Sequence, residues 1–146
     1  MDKLSNEYKR LVRNAWKLFY LSHRVWAKPI EELGLSTATF SPLEIIVQNP
    51  GVNQQVIADE LSLDKSCTSR ACKFLETNGF IIREKDTDCA HGFRCYPTEK
   101  AKDVYQKVME IEDVHIHALF SDANIDELDS SIALLDHLID RLNAQS

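Results

Sequence analysis

Two helical patterns separated by three residues and followed by a hairpin pattern constrain this chain more than any other feature. Asn53 is placed to cap a segment in which Val56, Ile57, Ala58 and Leu61 share one helical face, and Ser62-Leu63-Asp64 interrupts it. A second helical segment covers residues 65–78 and stops at Gly79, the residue type that accepts the left-handed turn after a helix. Residues 80–83 and 93–96 read as strands around a polar loop at 86–92, a hairpin with an extended tip. This order predicts a helix-turn-helix with a β-wing over residues 53–97.

The flanks read as long helices. Leu4, Tyr8, Leu11, Val12, Ala15, Trp16, Phe19, Val25 and Trp26 recur at steps that put them on one broad face, and Pro29 marks an end or a bend. A shorter helix is expected to start with Ser41 as cap and Pro42 in the first helical position, and to stop at Pro50-Gly51. Thr98 is a cap for a fifth helix carrying Val104, Tyr105, Val108, Ile111, His115 and Leu119, and a break at 121–124 precedes a sixth. In that last segment Ile125, Leu128, Ile132, Leu135, Ile139 and Leu142 make a narrow seam of period 3.5, as in helices that pack nearly parallel. The seam suits a dimer interface, or packing within one subunit. The expected fold class is mainly α with a small β-wing, a winged helix-turn-helix plus long dimerisation helices. A single domain is expected over 1–146, with 38–97 as the winged lobe and 1–30 and 98–146 as dimerisation helices.

Composition excludes several classes. A chain of 146 residues with 44% hydrophobic and 27% charged residues can build one core and is not of disordered type. No apolar run approaches the ~18 residues of a membrane span, and the start MDKLSNEYKR has no signal-peptide core, so a cytoplasmic location without membrane contact is expected. The four cysteines are then expected to be mostly reduced. The net charge of −6 is uneven: residues 1–102 hold 15 Lys/Arg and 13 Asp/Glu, whereas 103–146 hold 2 and 10. Local rather than total charge governs contact with phosphates.

A helix that enters the major groove needs an apolar inner face and a polar, partly basic outer face. Thr68, Ala71, Cys72 and Leu75 are the inner face of the segment at 65–78. Lys65, Ser66, Ser69, Arg70 and Lys73 lie outside, with Cys67 at the boundary. Arg70 is the candidate for a bidentate contact to guanine, and hydroxyls near the helix start suit phosphates. Lys85, His91 and Arg94 are the wing's candidate DNA contacts, with Arg83 beside them.

The stretch NQQVIADELSLDKSCTSRACKFLETNGFIIREKD, followed by a wing and a threonine-capped helix, resembles the MarR family of winged helix-turn-helix regulators. The resemblance extends over essentially the whole chain, and LSLDKSCTSRACKFLETNGFIIR carries its most specific part. It implies a homodimer on a palindromic operator of double-stranded DNA. It also implies a repressor released by a small phenolic or anionic ligand or by an oxidant. The departures fall in and after the wing. Cys89 and His91 stand where the family usually has its Asp-x-Arg element, Pro97 where leucine is usual, and Ala101 where glycine is common.

Other candidates carry plainer readings beside the functional ones. Cys67 lies in the first turn of the recognition helix, where a helix dipole makes a thiol more reactive, or it simply replaces a small polar residue. Cys72 reads as a small core residue. Cys89, His91 and Cys95 fit no common zinc spacing, and Glu112, Asp113, His115 and His117 read as well as solvated helix charges, so no metal is expected. Trp16, Tyr20, His23, Arg24 and Phe40 could wall a ligand pocket, though aromatics at helical spacing usually pack a core. With no phosphate loop, nucleophile elbow or hydrolase metal spacing, neither an enzyme nor a cofactor is expected. The competing function is a winged-helix module for protein–protein contact with weakened DNA binding.

Overall fold

A computed structural model describes residues 2–89 and 92–145. Its elements in chain order are α1 (Lys3–Glu32), α2 (Thr37–Gln48), β1 (Val52–Asn53), α3 (Gln54–Glu60), α4 (Lys65–Thr77), β2 (Ile81–Lys85), β3 (Phe93–Pro97), α5 (Glu99–Leu119) and α6 (Ile125–Asn143). The fold is mainly helical with a three-stranded antiparallel sheet of order β1-β3-β2.

Short-range capping decides most boundaries. Asn53 Oδ1 accepts from the Gln55 N–H at 2.7 Å and starts α3, and Asp64 Oδ1 accepts from the Cys67 N–H at 2.7 Å and starts α4. Gly79, at φ +76°, follows α4 in the left-handed conformation expected of it. Two expectations fail. Helix α2 begins five residues before Pro42, because Ser36 and Thr39 form a reciprocal capping box. Pro42 therefore lies inside α2 and forfeits one backbone hydrogen bond, while Ser41 caps nothing and returns its hydroxyl to the Thr37 carbonyl at 3.2 Å. Helix α1 passes through Pro29 and ends three residues later, at Glu32.

The sheet is larger than a hairpin. Val52 and Asn53 pair with Cys95 and Arg94, so β3 is the central strand. On its other edge β2 pairs in register from Ile81↔Pro97 to Lys85↔Phe93. Two residues carry no readable strand period, which is why β1 escapes a sequence pattern. The core joins Leu43 and Ile46 of α2, Ile57 of α3, Cys72 and Leu75 of α4, Phe80, Ile81 and Cys95 at the sheet, and Ala101, Val104 and Val108 of α5.

The chain divides into two compact units, one ending at Ile111 and one beginning at Glu112. In the first, Leu4, Trp16 and Phe19 of α1 are 79%, 68% and 67% exposed, so the broad face read from the sequence is largely uncovered. In the second, all six residues of the α6 seam are exposed. No helix among the described residues is long and apolar enough to cross a membrane.

Candidate nucleic-acid interface

Helix α4 has the two faces its sequence requires. Thr68, Ala71, Cys72 and Leu75 are buried, while Lys65, Ser66, Ser69, Arg70 and Lys73 are exposed and Cys67 is half-buried. Asp64 is held below the usual carboxylate range, first by the backbone N–H of Cys67. It stays ionised at the positive end of the helix. One turn on, Arg70 Nη2 donates to Cys67 Sγ at 3.2 Å, which holds the guanidinium along the outer face.

The wing is braced from within. Asp86 is 7% exposed and accepts from the Asp88 N–H at 3.0 Å, from Asn53 Nδ2, and from Arg94 Nε at 3.2 Å. These contacts, the Asp88 N–H first, keep its carboxyl below the usual range. Arg94 also donates Nη1 to the Gly51 carbonyl and Nη2 to Asp88, each at 3.2 Å. The arginine expected to reach DNA thus has three nitrogens engaged within the fold, two by wing carboxylates and one by the carbonyl just before β1. Lys85 is exposed at the end of β2. His91 lies outside the described residues.

Arg83 also turns inward. Its Nη2 and Nε reach Glu76 Oε2 at 2.7 and 3.0 Å, and Nη1 donates to Gln54 at 3.2 Å. The guanidinium lies 4.8 Å from the centre of the Phe93 ring. One side chain therefore joins α3, α4 and both long strands. Asn53 makes a second such joint, since it caps α3 with its oxygen and holds Asp86 with its nitrogen. Partners this far apart in sequence leave no local pattern, and no spacing rule would have found them.

Between α3, the start of α4 and the wing lies an open cleft of about 300 Å³, lined by Asn53, Gln54, Gln55, Lys65, Ser69, Cys89 and Phe93 among others. Lys65 supplies a cation there and the amides and hydroxyls supply donors, a set suited to a sugar-phosphate chain. The expected ligand-pocket residues do not gather in one place. Trp16, Tyr20, His23 and Arg24 are exposed along α1, whereas Phe40 is buried on α2 and stacked on Tyr105 at 6.5 Å. His23 Nε2 meets the Thr37 hydroxyl at the start of α2. No three His, Cys, Asp or Glu among the described residues are grouped to hold a metal ion, and His117 instead pairs with Asp113 at 3.3 Å.

Residues 35–88 match the family model described as the MarR family. The HTH-type transcriptional regulator YybA of Bacillus subtilis is 35% identical over 75 residues, which is 51% of this chain and 50% of that protein. The chain thus spans about half the length of that relative. A MarR protein from Peptoclostridium difficile superposes with a TM-score of 0.83 at 24% identity, over 92% of this chain and 88% of that one. A MarR family transcriptional regulator from Listeria monocytogenes, solved with 26mer DNA, gives 0.81 at 23% identity over 90% and 87%. At these identities the structural likenesses establish the fold.

Proposed function

We propose that this chain, whose residues 35–88 match the MarR family model and whose relative YybA is named as a transcriptional regulator, is a homodimeric regulator of that family, acting as a repressor on a palindromic operator. The observation that carries this reading is α4, with four side chains buried against the core and five polar or basic ones presented to solvent. Lys65, Ser66, Ser69, Arg70 and Lys73 then face the major groove, with Cys67 steadying Arg70. Lys85 flanks them on the wing. Arg94 serves the wing's shape, and the cleft around Lys65 takes the adjoining phosphates.

Dimerisation is supported by the two uncovered apolar helices. Helix α1 carries seven Lys/Arg against three Asp/Glu, and α6 carries five Asp/Glu against one Arg. Their opposite charge suits α1 of one copy to α6 of a second. A second copy also doubles the contacts, which matters because residues 64–94 hold six Lys/Arg against five Asp/Glu. Release by a small phenolic or anionic ligand belongs to this reading, with Tyr20, His23 and Arg24 of α1 as the side chains that would meet it.

Selection of bound sequences from random duplex DNA tests the proposal. A recovered palindrome whose binding weakens steeply with salt is the expected result. Failure to enrich any sequence would favour the alternative of a protein-docking winged helix.

A further inference from the structure

The outer face of α4 is not wholly polar. Phe74 is 40% exposed there, the one large apolar side chain that this helix leaves to solvent among the described residues. It follows Arg70 by four residues and Cys67 by seven, so the three side chains form one row along the helix. Both polar neighbours in that row are committed elsewhere. Arg70 Nη2 donates back to Cys67 Sγ at 3.2 Å, and Asn78 Nδ2 donates to the Phe74 carbonyl at 2.8 Å. The ring stays open to solvent between them.

An aromatic ring offers a phosphate neither a charge nor a hydrogen-bond donor, so Phe74 is not there to hold the DNA backbone. The major-groove edges of the bases carry donors and acceptors at every pair, and one apolar group, the C5-methyl of thymine. We infer that Phe74 is a specificity-determining residue that recognises this methyl beside the base read by Arg70.

The inference rests on the reading that α4 enters the major groove. Four residues of helix advance about 6 Å, and base pairs rise about 3.4 Å apiece. The thymine therefore lies about two steps from the guanine that Arg70 contacts. Contact takes ring and methyl out of water together, which favours thymine over any base with a bare or polar edge at that position. Because the ring is uncharged, this contribution releases no counterions and does not fade with salt as the lysine and arginine contacts do.

The test uses the full chain and the operator selected from random duplex DNA. Deoxyuridine, which lacks only the methyl, replaces each thymine in turn. Wild-type affinity should fall about 4-fold in each half-site that loses the contacted methyl, the worth of about one buried methyl group. Phe74→Gln should bind the thymine and deoxyuridine operators alike, with its unfolding midpoint and its slope of affinity against salt unchanged. At the same position, 5-methylcytosine should bind more tightly than cytosine to the wild type and equally to the variant. A wild type indifferent to deoxyuridine at every thymine would overturn the inference, as would a variant that keeps the full deoxyuridine loss. A variant with a lowered midpoint and equal losses on all sequences would also overturn it, by showing that the ring packs the fold. Each of these results is read on DNA that the protein binds, so the regulator reading would survive it. A chain that enriches no operator would refute that reading and this inference with it.

Discussion

Arg83 Nη2 lies 2.7 Å from Glu76 Oε2, so a wing strand is ionically bonded to the recognition helix. The arginine side chain is 13% exposed and the glutamate 40%, which makes this a half-shielded pair rather than a surface one. Its removal strands a carboxylate and also takes away the bond to Gln54 and the stacking on Phe93. Arg83→Ala is expected to lower stability by about 1–2 kcal/mol after allowance for the exposure of Glu76. Urea unfolding measures this. Arg83→Lys should recover only part of it, because an ammonium cannot reproduce the two-nitrogen contact.

The carboxylates predict a sign for acid sensitivity. Glu76 is lowered first by its hydrogen bond to Arg83, and Asp86 first by the Asp88 N–H. For groups depressed on folding, the stabilisation is complete above their ordinary values of 4.5 and 3.8 and is lost as pH falls through the lower folded values. Glu44 has the opposite sign, since burial raises it. Glu44→Gln should therefore raise the urea midpoint at neutral pH, and the gain should vanish at acid pH where Glu44 is protonated in both states.

The two arginines proposed from sequence as DNA contacts should behave differently. Arg70 is exposed on α4, and Arg70→Ala is expected to cost about 1–3 kcal/mol on the selected operator with the unfolding midpoint unchanged. Arg94 is held by Asp86, Asp88 and the Gly51 carbonyl. Arg94→Ala should instead speed amide exchange across β3 and its pairing with β1. Equal loss of affinity with unaltered exchange would show that Arg94 reads DNA directly.

Exposed apolar rows make a prediction about assembly. Trp16 on α1 and Ile132 on α6 are 68% and 47% exposed. Trp16→Glu and Ile132→Asp should each shift sedimentation from dimer to monomer while leaving the helical circular dichroism of the winged lobe. A wild-type chain that sediments as a monomer at all concentrations would refute the dimer.

By itself the sequence determined what depends on near neighbours. The cap at Asn53, the break at 62–64, the stop at Gly79 and the buried set Thr68, Ala71, Cys72 and Leu75 all follow from interactions within about one helical turn. The failure at Ser41-Pro42 came from the same short range, where the stronger box at Ser36 and Thr39 prevailed. Tertiary structure alone decided which of the wing's basic side chains are engaged within the fold. Arg70, Arg83 and Arg94 are equivalent as sequence symbols, yet Arg83 and Arg94 are turned inward by Glu76 and Asp86, and Arg70 is not. It also supplied β1 and the Asn53–Asp86 contact across 33 residues. Partners at such separations are chosen by packing around a shared core, and chain-local periodicity carries no record of them.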